Sequence, residues 1–495
     1  MSVLKKLASQ SAWYGLSSIL GRALYFLLTP FYTRTFVDPQ SYGIMSFLFA
    51  FMAFANVLYT YGLETSFFYF SEREDKKKVY NTALSSITLT SLLFTLLLLF
   101  GNTWFAGLMK LSDHPELVVY VAFILALDAI SVIPFALLRR QQRPKKFAFI
   151  KLAGIVVNIG FHLFFLWLCP RMLVSSNDTI RHFTALVYNP GVGVGYVFIV
   201  NVISSGLTLA LLYKEILQCS WKPNFALIKT MLIYSAPLII AGFAGMINEM
   251  LDRIILTYMI HNSNEALRQQ GIYGATYKLS MMMTMFIQTF RFAAEPFFFA
   301  KQKEEDVRNV YAYVMKYFVL SCAFIFLIVM LYLDVFKFFI GSYKNPVYWE
   351  GLHVVPILLL ANLCLGIYLN QSMWYKWSGQ TKFGAWFSLF GAAITIVLNI
   401  ILVPIMGYTG CAWTTLICYA SMMVVSYFFG RYYYPVNYDL KRIFGYLFFA
   451  ILLVALSKLV NDYFNSSLTY TLLINTFLLL VFASVAWAFE RPKKA

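Results

Sequence analysis

Residues 246–260, MINEMLDRIILTYMI, place three ionisable side chains inside an apolar stretch of helical length. These side chains are Glu249, Asp252 and Arg253. A charged group at the middle of a membrane costs about 2.5–3.5 kcal/mol on insertion scales, so it normally faces the protein interior or a water-filled cavity. If this helix crosses a membrane, the stretch therefore predicts a polar site for an ion or a charged substrate.

Further ionisable residues interrupt apolar segments elsewhere in the chain. They are Arg22, Glu64, Asp128, Lys278, Arg291 and Glu295. A guanidinium offers a planar fork of donors that matches phosphate oxygens, so we expect the four cations to suit a substrate that carries a diphosphate. The predicted diphosphate-binding set is Arg22, Arg253, Arg291 and, as a weaker candidate, Lys278. Carboxylates suit a coupling proton or sodium ion, or they orient the arginines. The predicted coupling set is Glu64, Asp252, Glu295, Glu249 and Asp128.

An alternative interpretation is that these groups form structural ion pairs. Glu249 and Arg253 are four residues apart, as are Arg291 and Glu295, so each pair can meet on one helix face. Arg22 and Glu64 could pair between neighbouring helices. Even then, an ion pair within lipid needs a reason, because an apolar pair would pack there without the cost of desolvation.

The elements that carry these residues are predicted to be transmembrane helices. The chain is 60% hydrophobic and 12% charged, whereas soluble domains carry about 25% charged residues. Segments 83–109, 383–430 and 463–489 contain no charged residue, and ~20 apolar residues span a bilayer. We predict an all-α polytopic membrane protein with fourteen spans. They lie at roughly 10–34, 41–70, 80–106, 116–139, 147–170, 190–214, 230–260, 271–299, 309–335, 350–376, 382–405, 409–434, 441–460 and 468–489.

The net charge of +17 is distributed as expected for membrane topology and not for nucleic-acid binding. With the N-terminus inside, the inside loops hold roughly three times as many Lys and Arg residues as the outside loops. The densest inside segments are EREDKKK at 72–78 and RRQQRPKK at 139–146. We therefore expect both termini to be cytoplasmic and no nucleic-acid partner.

The chain also repeats itself at long range. At a constant offset of 231 residues, Tyr42 meets Tyr273, Glu64 meets Glu295, Tyr80 meets Tyr311 and Pro115 meets Pro346. Spans 1–6 thus correspond to spans 7–12, and six spans per unit give two parallel repeats. The predicted organisation is an N-lobe at 1–222, a C-lobe at 223–436 and two extra helices at 437–495, with the substrate between the lobes.

Motifs for catalysis are missing from the sequence. The six cysteines include no CxxC pair, and GVGVG at 191–195 follows no strand, which argues against a nucleotide-binding loop. No Ser/His/Asp set, HExxH or Walker loop occurs in the sequence. We expect no cofactor, no metal and no enzymatic activity.

Five segments of the chain can be compared with known families, namely ILGRALYFLLTPFYTRTFVDPQSYGIMSF (19–47), YGLETSFFYF (61–70), LDRIILTYMI (251–260), GIYGATYKLS (271–280) and GQTKFGAW (379–386). They resemble the polysaccharide-exporting branch of the multidrug/oligosaccharidyl-lipid/polysaccharide (MOP) flippase superfamily, and in particular O-antigen (Wzx-type) flippases. This resemblance covers essentially the whole chain. It implies a bacterial inner-membrane protein that moves undecaprenyl-diphosphate-linked oligosaccharide to the periplasmic leaflet, coupled to an ion gradient. Arg22 and the Asp252–Arg253 pair match the family most directly.

Two other functions remain open. One is a MATE-like multidrug or cation antiporter. The other is a membrane glycan polymerase or ligase, although the predicted outside loops are short, at about 20 residues at most, and such enzymes prefer a large periplasmic loop with paired catalytic residues. The segment 170–190 is longer than its counterpart in the second repeat.

Overall fold

The computed structural model describes residues 20–301, 307–377, 379–464 and 467–491. Its regular structure in these ranges is helical, apart from an isolated β-bridge between Ser342 and Asn345. The helices, in chain order, are α1 (20–27), α2 (Thr29–Thr35), α3 (Pro39–Thr60), α4 (Leu63–Ser71), α5 (Lys76–Phe100), α6 (Asn102–Leu108), α7 (Pro115–Arg140), α8 (Pro144–Leu163), α9 (Cys169–Leu173), α10 (Asp178–Val187), α11 (Gly195–Leu211), α12 (Tyr213–Ile216), α13 (Phe225–Met259), α14 (Ser263–Lys301), α15 (Val307–Leu331), α16 (Leu333–Ile340), α17 (Val355–Gln371), α18 (Met373–Trp377), α19 (Lys382–Met406), α20 (Tyr408–Tyr433), α21 (Leu440–Phe464) and α22 (Leu468–Glu490). A π-helical turn, Phe164–Leu168, joins α8 to α9, and 3₁₀ turns cover Pro190–Val192 and Pro346–Val354.

The prediction of an all-α polytopic membrane protein is confirmed. Within the described residues, eleven helical segments are long and apolar enough to cross a membrane, and a bent pair, 178–192 with 195–211, raises the number to twelve. Each of these twelve overlaps one predicted span. Predicted span 8 falls on the 39-residue helix α14. Predicted span 1 lies partly outside the described residues, which begin at residue 20.

Prolines and capping side chains set where several of these helices begin. α3 and α7 start at Pro39 and Pro115, where the missing N–H of proline costs no helical hydrogen bond. The Asp38 carboxylate accepts a hydrogen bond from the Gln40 N–H at 3.0 Å and caps α3. The Asp75 carboxylate accepts from the Lys78 N–H at 2.7 Å and caps α5.

The chain divides into two compact units, Met1–Gly271 and Ile272–Ala495, and the division falls within α14. In the first unit, α7 packs against α3, α5 and α11, and α13 packs against α3, α4 and α5. The apolar window of α7 is 72% buried, the largest share among the candidate spans of the described chain. The core of this unit therefore lies around α7. The predicted lobe boundary near residue 222 stays a prediction.

Two glycines bring α3 into backbone contact with the beginning of α14. A Cβ atom added to Gly43 would lie 1.9 Å from the carbonyl oxygen of Leu267. A Cβ atom added to Gly271 would lie 1.9 Å from the carbonyl oxygen of Pro39. Neither position has room for even a methyl group, so the contact requires glycine on both helices.

In the second unit, α20 packs against both α17 and α19, and α15 packs against α17, α21 and α22. Aromatic and apolar side chains fill the first of these groups, including Tyr368, Trp374 and Phe387. The last two helices are thus attached to this unit through α15.

Candidate functional site

The Asp252–Arg253 pair lies on α13 and is withdrawn from solvent. Asp252 is 5% exposed and Arg253 is 7% exposed. The Asp252 carboxylate accepts a hydrogen bond from the Arg253 backbone N–H at 2.8 Å, and its oxygen lies 4.0 Å from the Arg253 guanidinium. The guanidinium also donates to the Glu249 carbonyl oxygen at 3.1 Å. Charge is therefore buried on a candidate membrane span, and backbone and carboxylate oxygens stabilise it.

Tyr42 on α3 extends this polar group toward the start of the chain. Tyr42 is 1% exposed, lies close enough to Arg253 to interact electrostatically, and hydrogen-bonds with Thr29 on α2. Thr257, one turn beyond Arg253, donates to the Arg253 carbonyl oxygen at 3.3 Å. α2, α3 and α13 thus converge on one buried polar cluster, formed by Thr29, Tyr42, Asp252 and Arg253.

Glu64 on α4 forms an ion pair with Arg139 on α7. Both side chains are partly exposed, at 42% and 35%. Arg139 also lies over the ring of Phe68, with its guanidinium carbon 5.0 Å from the ring centroid. In the alternative ion-pair interpretation of the sequence, the partner of Glu64 was Arg22. Arg139 was not among the predicted site residues because it stands at the predicted end of span 4.

Asp128 interacts with Lys151, a cation on α8 that was not among the predicted site residues. The two groups interact electrostatically, and Ser205 on α11 hydrogen-bonds with the Asp128 carboxylate. Asp128 and Lys151 are both exposed although α7 is the most buried candidate span of the described chain. Two opposite charges therefore meet across the candidate spans that contain α7 and α8.

The same face of α8 carries further buried polar groups. Asn158 and His162 follow Lys151 at helical spacing, and both are at least 99% buried. His162 Nδ1 lies 2.8 Å from the Asn158 carbonyl oxygen, and the Asn158 amide donates to Asn201 on α11 at 3.3 Å. His162 Nε2 has no hydrogen-bond partner among the described residues. The polar face of α8 therefore reaches from a charged pair into the packed interior.

In the second unit, Arg291 lines a small recess between α14, α15 and α17. Asn370 contributes a polar group to the wall, and the rest of the lining is mainly apolar. Tyr375 lies close enough to Arg291 to interact with it electrostatically. The recess is thus a narrow, mainly apolar site that carries one cation.

The remaining predicted residues are placed as follows. Arg22 on α1 and Glu249 on α13 are exposed, and Lys278 on α14 is half-buried. The side chain of Glu295 lies outside the described part of the structure. Within the described residues, no group of three or more His, Cys, Asp or Glu side chains is placed to hold a metal ion. The structure thus brings together Asp252 with Arg253, Glu64 with Arg139, and Asp128 with Lys151.

Sequence comparison identifies a family. A family model described as "Polysaccharide biosynthesis protein" matches residues 7–302. No curated protein matches the chain.

Three solved structures illustrate the fold that the chain shares. The lipid II flippase MurJ, in an inward closed conformation, matches with a TM-score of 0.70 and 16% identity over 96% of this chain and 98% of MurJ. An inward-facing MATE multidrug resistance transporter of the MOP superfamily matches with a TM-score of 0.60 and 15% identity, over 86% of this chain and 94% of the transporter. A MOP superfamily transporter from Pyrococcus furiosus matches with a TM-score of 0.54 and 14% identity, over 86% of this chain and 95% of that transporter. At these identities the likeness concerns the fold alone.

Proposed function

The chain belongs to the polysaccharide biosynthesis protein family, and from this premise we propose that it is a flippase for undecaprenyl-diphosphate-linked oligosaccharide. It is a multi-pass membrane protein with the MOP fold, and its family and fold are those of transporters and not of enzymes. The proposed substrate is an O-antigen, capsule or related repeat unit. The proposed movement is from the cytoplasmic to the periplasmic leaflet of the bacterial inner membrane.

The observation that carries this proposal is the buried Arg253 on α13. A guanidinium that is 7% exposed on an apolar helix has an energetic cost, and binding of an anionic substrate would account for that cost. A diphosphate bears the charge and the paired oxygens that a guanidinium fork matches. We assign Arg253 to the diphosphate and propose Arg22, Arg291 and, as a weaker candidate, Lys278 as further substrate-binding cations.

The carboxylates have a separate role in the proposal. Asp252 accepts from the Arg253 backbone and lies beside its guanidinium, so it orients the arginine. Glu64 and Asp128, each beside a cation, are the groups that we propose to bind a coupling proton or sodium ion. Glu249 and Glu295 remain candidates for the same role.

The proposed architecture has fourteen spans in two parallel six-helix repeats, followed by two extra helices. Two features support it. Helical residues 20–27 and the 39-residue α14 occupy the positions of spans 1 and 8. Tyr80 and Tyr311, which the repeat makes equivalent, are both buried near the start of their helices, and each donates to a distant backbone carbonyl, that of Glu215 at 2.7 Å and that of Asn370 at 2.6 Å.

Replacing Arg253 tests the proposal. We expect Arg253→Ala, expressed in a strain that lacks this gene, to lower surface polysaccharide at least tenfold and to leave lipid-linked precursor in the inner leaflet. Arg253→Lys should restore only part of the export, because an ammonium keeps the charge but cannot bind two oxygens in one plane. The measurement is surface polysaccharide and accessible precursor at matched amounts of membrane-inserted protein.

Arg73→Ala is the matched control, because Arg73 is exposed in the turn before α5 and stacks on Tyr69. It should export like the wild type. Normal export by Arg253→Ala would remove the proposed site. Normal precursor flipping with loss of polymer would favour the polymerase, and drug resistance without any effect on surface sugar would favour the antiporter.

A further inference from the structure

The long segment between α9 and α11 contains a ten-residue helix, α10, which is too short to cross a membrane by itself. The Asn177 side chain caps it by accepting from the Thr179 and Ile180 N–H groups at 3.0 and 3.4 Å. The chain axis turns by 111° between segments 178–192 and 195–211. α10 therefore lies at nearly a right angle to the candidate span α11.

The side chains of α10 separate into two faces. Ile180, Phe183 and Val187, spaced at i, i+3 and i+7, form an apolar face with Leu186 at its border. Their exposed fractions run from 36% for Ile180 to 73% for Leu186, so the described part of the chain leaves this face open. The opposite face carries Asp178, Arg181, His182 and Ala185, all exposed.

α10 is nevertheless fixed to the protein. Thr184, on the edge between the two faces, is 2% exposed, and α10 packs against α9. At its C-terminal end, the Tyr188 ring stacks on Tyr196 of α11 with centroids 4.9 Å apart. The Asn189 N–H donates to the Tyr196 hydroxyl at 2.7 Å. The exposed apolar face thus belongs to a helix that is packed against the rest of the protein.

Neighbouring residues indicate the level of the membrane surface. Trp167 and Arg171 end the preceding span, the indole is 48% exposed, and the Arg171 guanidinium carbon lies 4.2 Å from its ring centroid. Exposed tryptophan and arginine at a span end are typical of the headgroup region. Because α10 follows directly after this end of the span, we expect it to lie at the depth of the lipid headgroups.

We propose that α10 is an interfacial helix that lies on the non-cytoplasmic leaflet, with Ile180, Phe183 and Val187 among the upper acyl chains of the phospholipid. A helix with one apolar and one charged face lies in the plane of the interface. The charged face argues against insertion of the helix into the hydrocarbon, where Asp178 and Arg181 would be costly. The surface-bound helix would hold the outer ends of α8 and α11 at a fixed depth. This inference requires the membrane topology but not the proposed substrate.

Spin labelling tests the orientation of α10. Single cysteines replace the apolar residues (Ile180→Cys, Phe183→Cys, Val187→Cys) and the polar residues (Asp178→Cys, His182→Cys, Ala185→Cys) in the full chain. The protein is reconstituted in nanodiscs of phosphatidylethanolamine and phosphatidylglycerol. Power saturation then compares collision with oxygen, which enriches in lipid, and with a water-soluble nickel chelate. The unsubstituted protein gives the background, because five of its six cysteines are buried, and Leu93→Cys, at a 61% exposed position within α5, gives the lipid reference.

We expect the logarithm of the oxygen-to-nickel ratio to be positive at 180, 183 and 187 and negative at 178, 182 and 185. Nickel access at all six positions would place α10 in water and overturn the proposal. Oxygen preference at all six would place it inside the hydrocarbon, which also contradicts it. Protection of 180, 183 and 187 from both reagents would show that protein, either this chain or a second copy, covers the face.

Discussion

Glu64 and Arg139 come from different helices and act on one another through a partly exposed ion pair. Such a pair is screened by water, so its contribution to stability is small, typically 0.2–1 kcal/mol. The same unit holds the Asp128–Lys151 and Asp252–Arg253 pairs on candidate spans. We therefore test the Glu64–Arg139 pair for a role in transport and not only for stability.

A double-substitution cycle tests whether the two groups act as a unit. We expect Glu64→Gln and Arg139→Gln each to lower export several-fold, and the double variant to be no worse than either single variant, because each single change leaves one charge without its counterpart. Export is measured at equal protein levels, with Glu116→Gln, an exposed carboxylate paired with His114, as the control. Multiplied losses in the double variant would show two independent roles.

At this scale the sequence indicated which residues carry charge within the apolar segments but not their partners. Glu249 and Arg253 have the spacing of a side-chain ion pair, yet the Arg253 guanidinium donates to the Glu249 carbonyl oxygen, and the carboxylate of Asp252 lies beside it. Lys151 and Arg139, which stand near predicted span ends, were not among the predicted site residues. Their partners lie on other helices, and only tertiary packing decides such pairings.

At the scale of single elements, one carboxylate fastens the last helix to its neighbours. Glu490, at the end of α22, accepts from the Lys316 ammonium and the Tyr317 hydroxyl on α15, and from Arg442 and the Tyr446 hydroxyl on α21. The Glu490 and Lys316 side chains are each 10% exposed. All of the carboxylate's acceptor positions are thus directed at α15 and α21.

Glu490→Gln should therefore destabilise the second unit. Removing one partner of a buried ion pair costs about 3–5 kcal/mol, because the remaining charge is left uncompensated. We expect a clear fall in the thermal midpoint in nanodiscs, and partial recovery in the double variant Lys316→Met/Glu490→Met, which removes both charges. A midpoint for Glu490→Gln equal to that of the wild type would show that the contact contributes nothing.

The sequence of segment 170–190 contains a helix signal that the prediction did not use. It was predicted as a loop, yet the apolar residues Ile180, Phe183 and Val187 already have helical spacing behind Asn177, a favoured capping residue. The prediction of span 6 at 190–214 likewise missed the 3₁₀ turn Pro190–Val192, since the helix α11 starts at Gly195. Hydropathy averaged over a window detects neither α10 nor the 3₁₀ turn, because apolar residues continue through the bend.

At the scale of the whole molecule, the distribution of Lys and Arg predicts the orientation of the protein in the membrane. We expect green fluorescent protein fused after Ala495 to fluoresce, because it folds in the cytoplasm. Alkaline phosphatase fused after Ser176 should be active, whereas the same enzyme fused after Gln142, in the turn between α7 and α8, should be inactive. Activity in the opposite pattern would reverse the orientation and, with it, the proposed direction of transport.

Of the three scales, this is the one at which the prediction was most accurate, because it concerns the positions of the spans along the chain. The span predicted at 382–405 corresponds to α19, Lys382–Met406, and that at 468–489 corresponds to α22, Leu468–Glu490. Long apolar runs report span positions directly, because the thickness of a bilayer fixes the length of a helix that crosses it. How these helices divide into the units 1–271 and 272–495 depends on packing, which hydropathy does not encode.

The contact between Gly43 and the start of α14 has a consequence for how this protein can evolve. Since each helix meets the other through main-chain atoms at Gly43 and Gly271, no choice of side chain on either helix can compensate for a lost glycine. Substitutions around the contact can be compensated by changes in neighbouring residues, but neither glycine can be replaced on its own. A descendant that replaced either would have to separate the two helices and rebuild that part of the bundle.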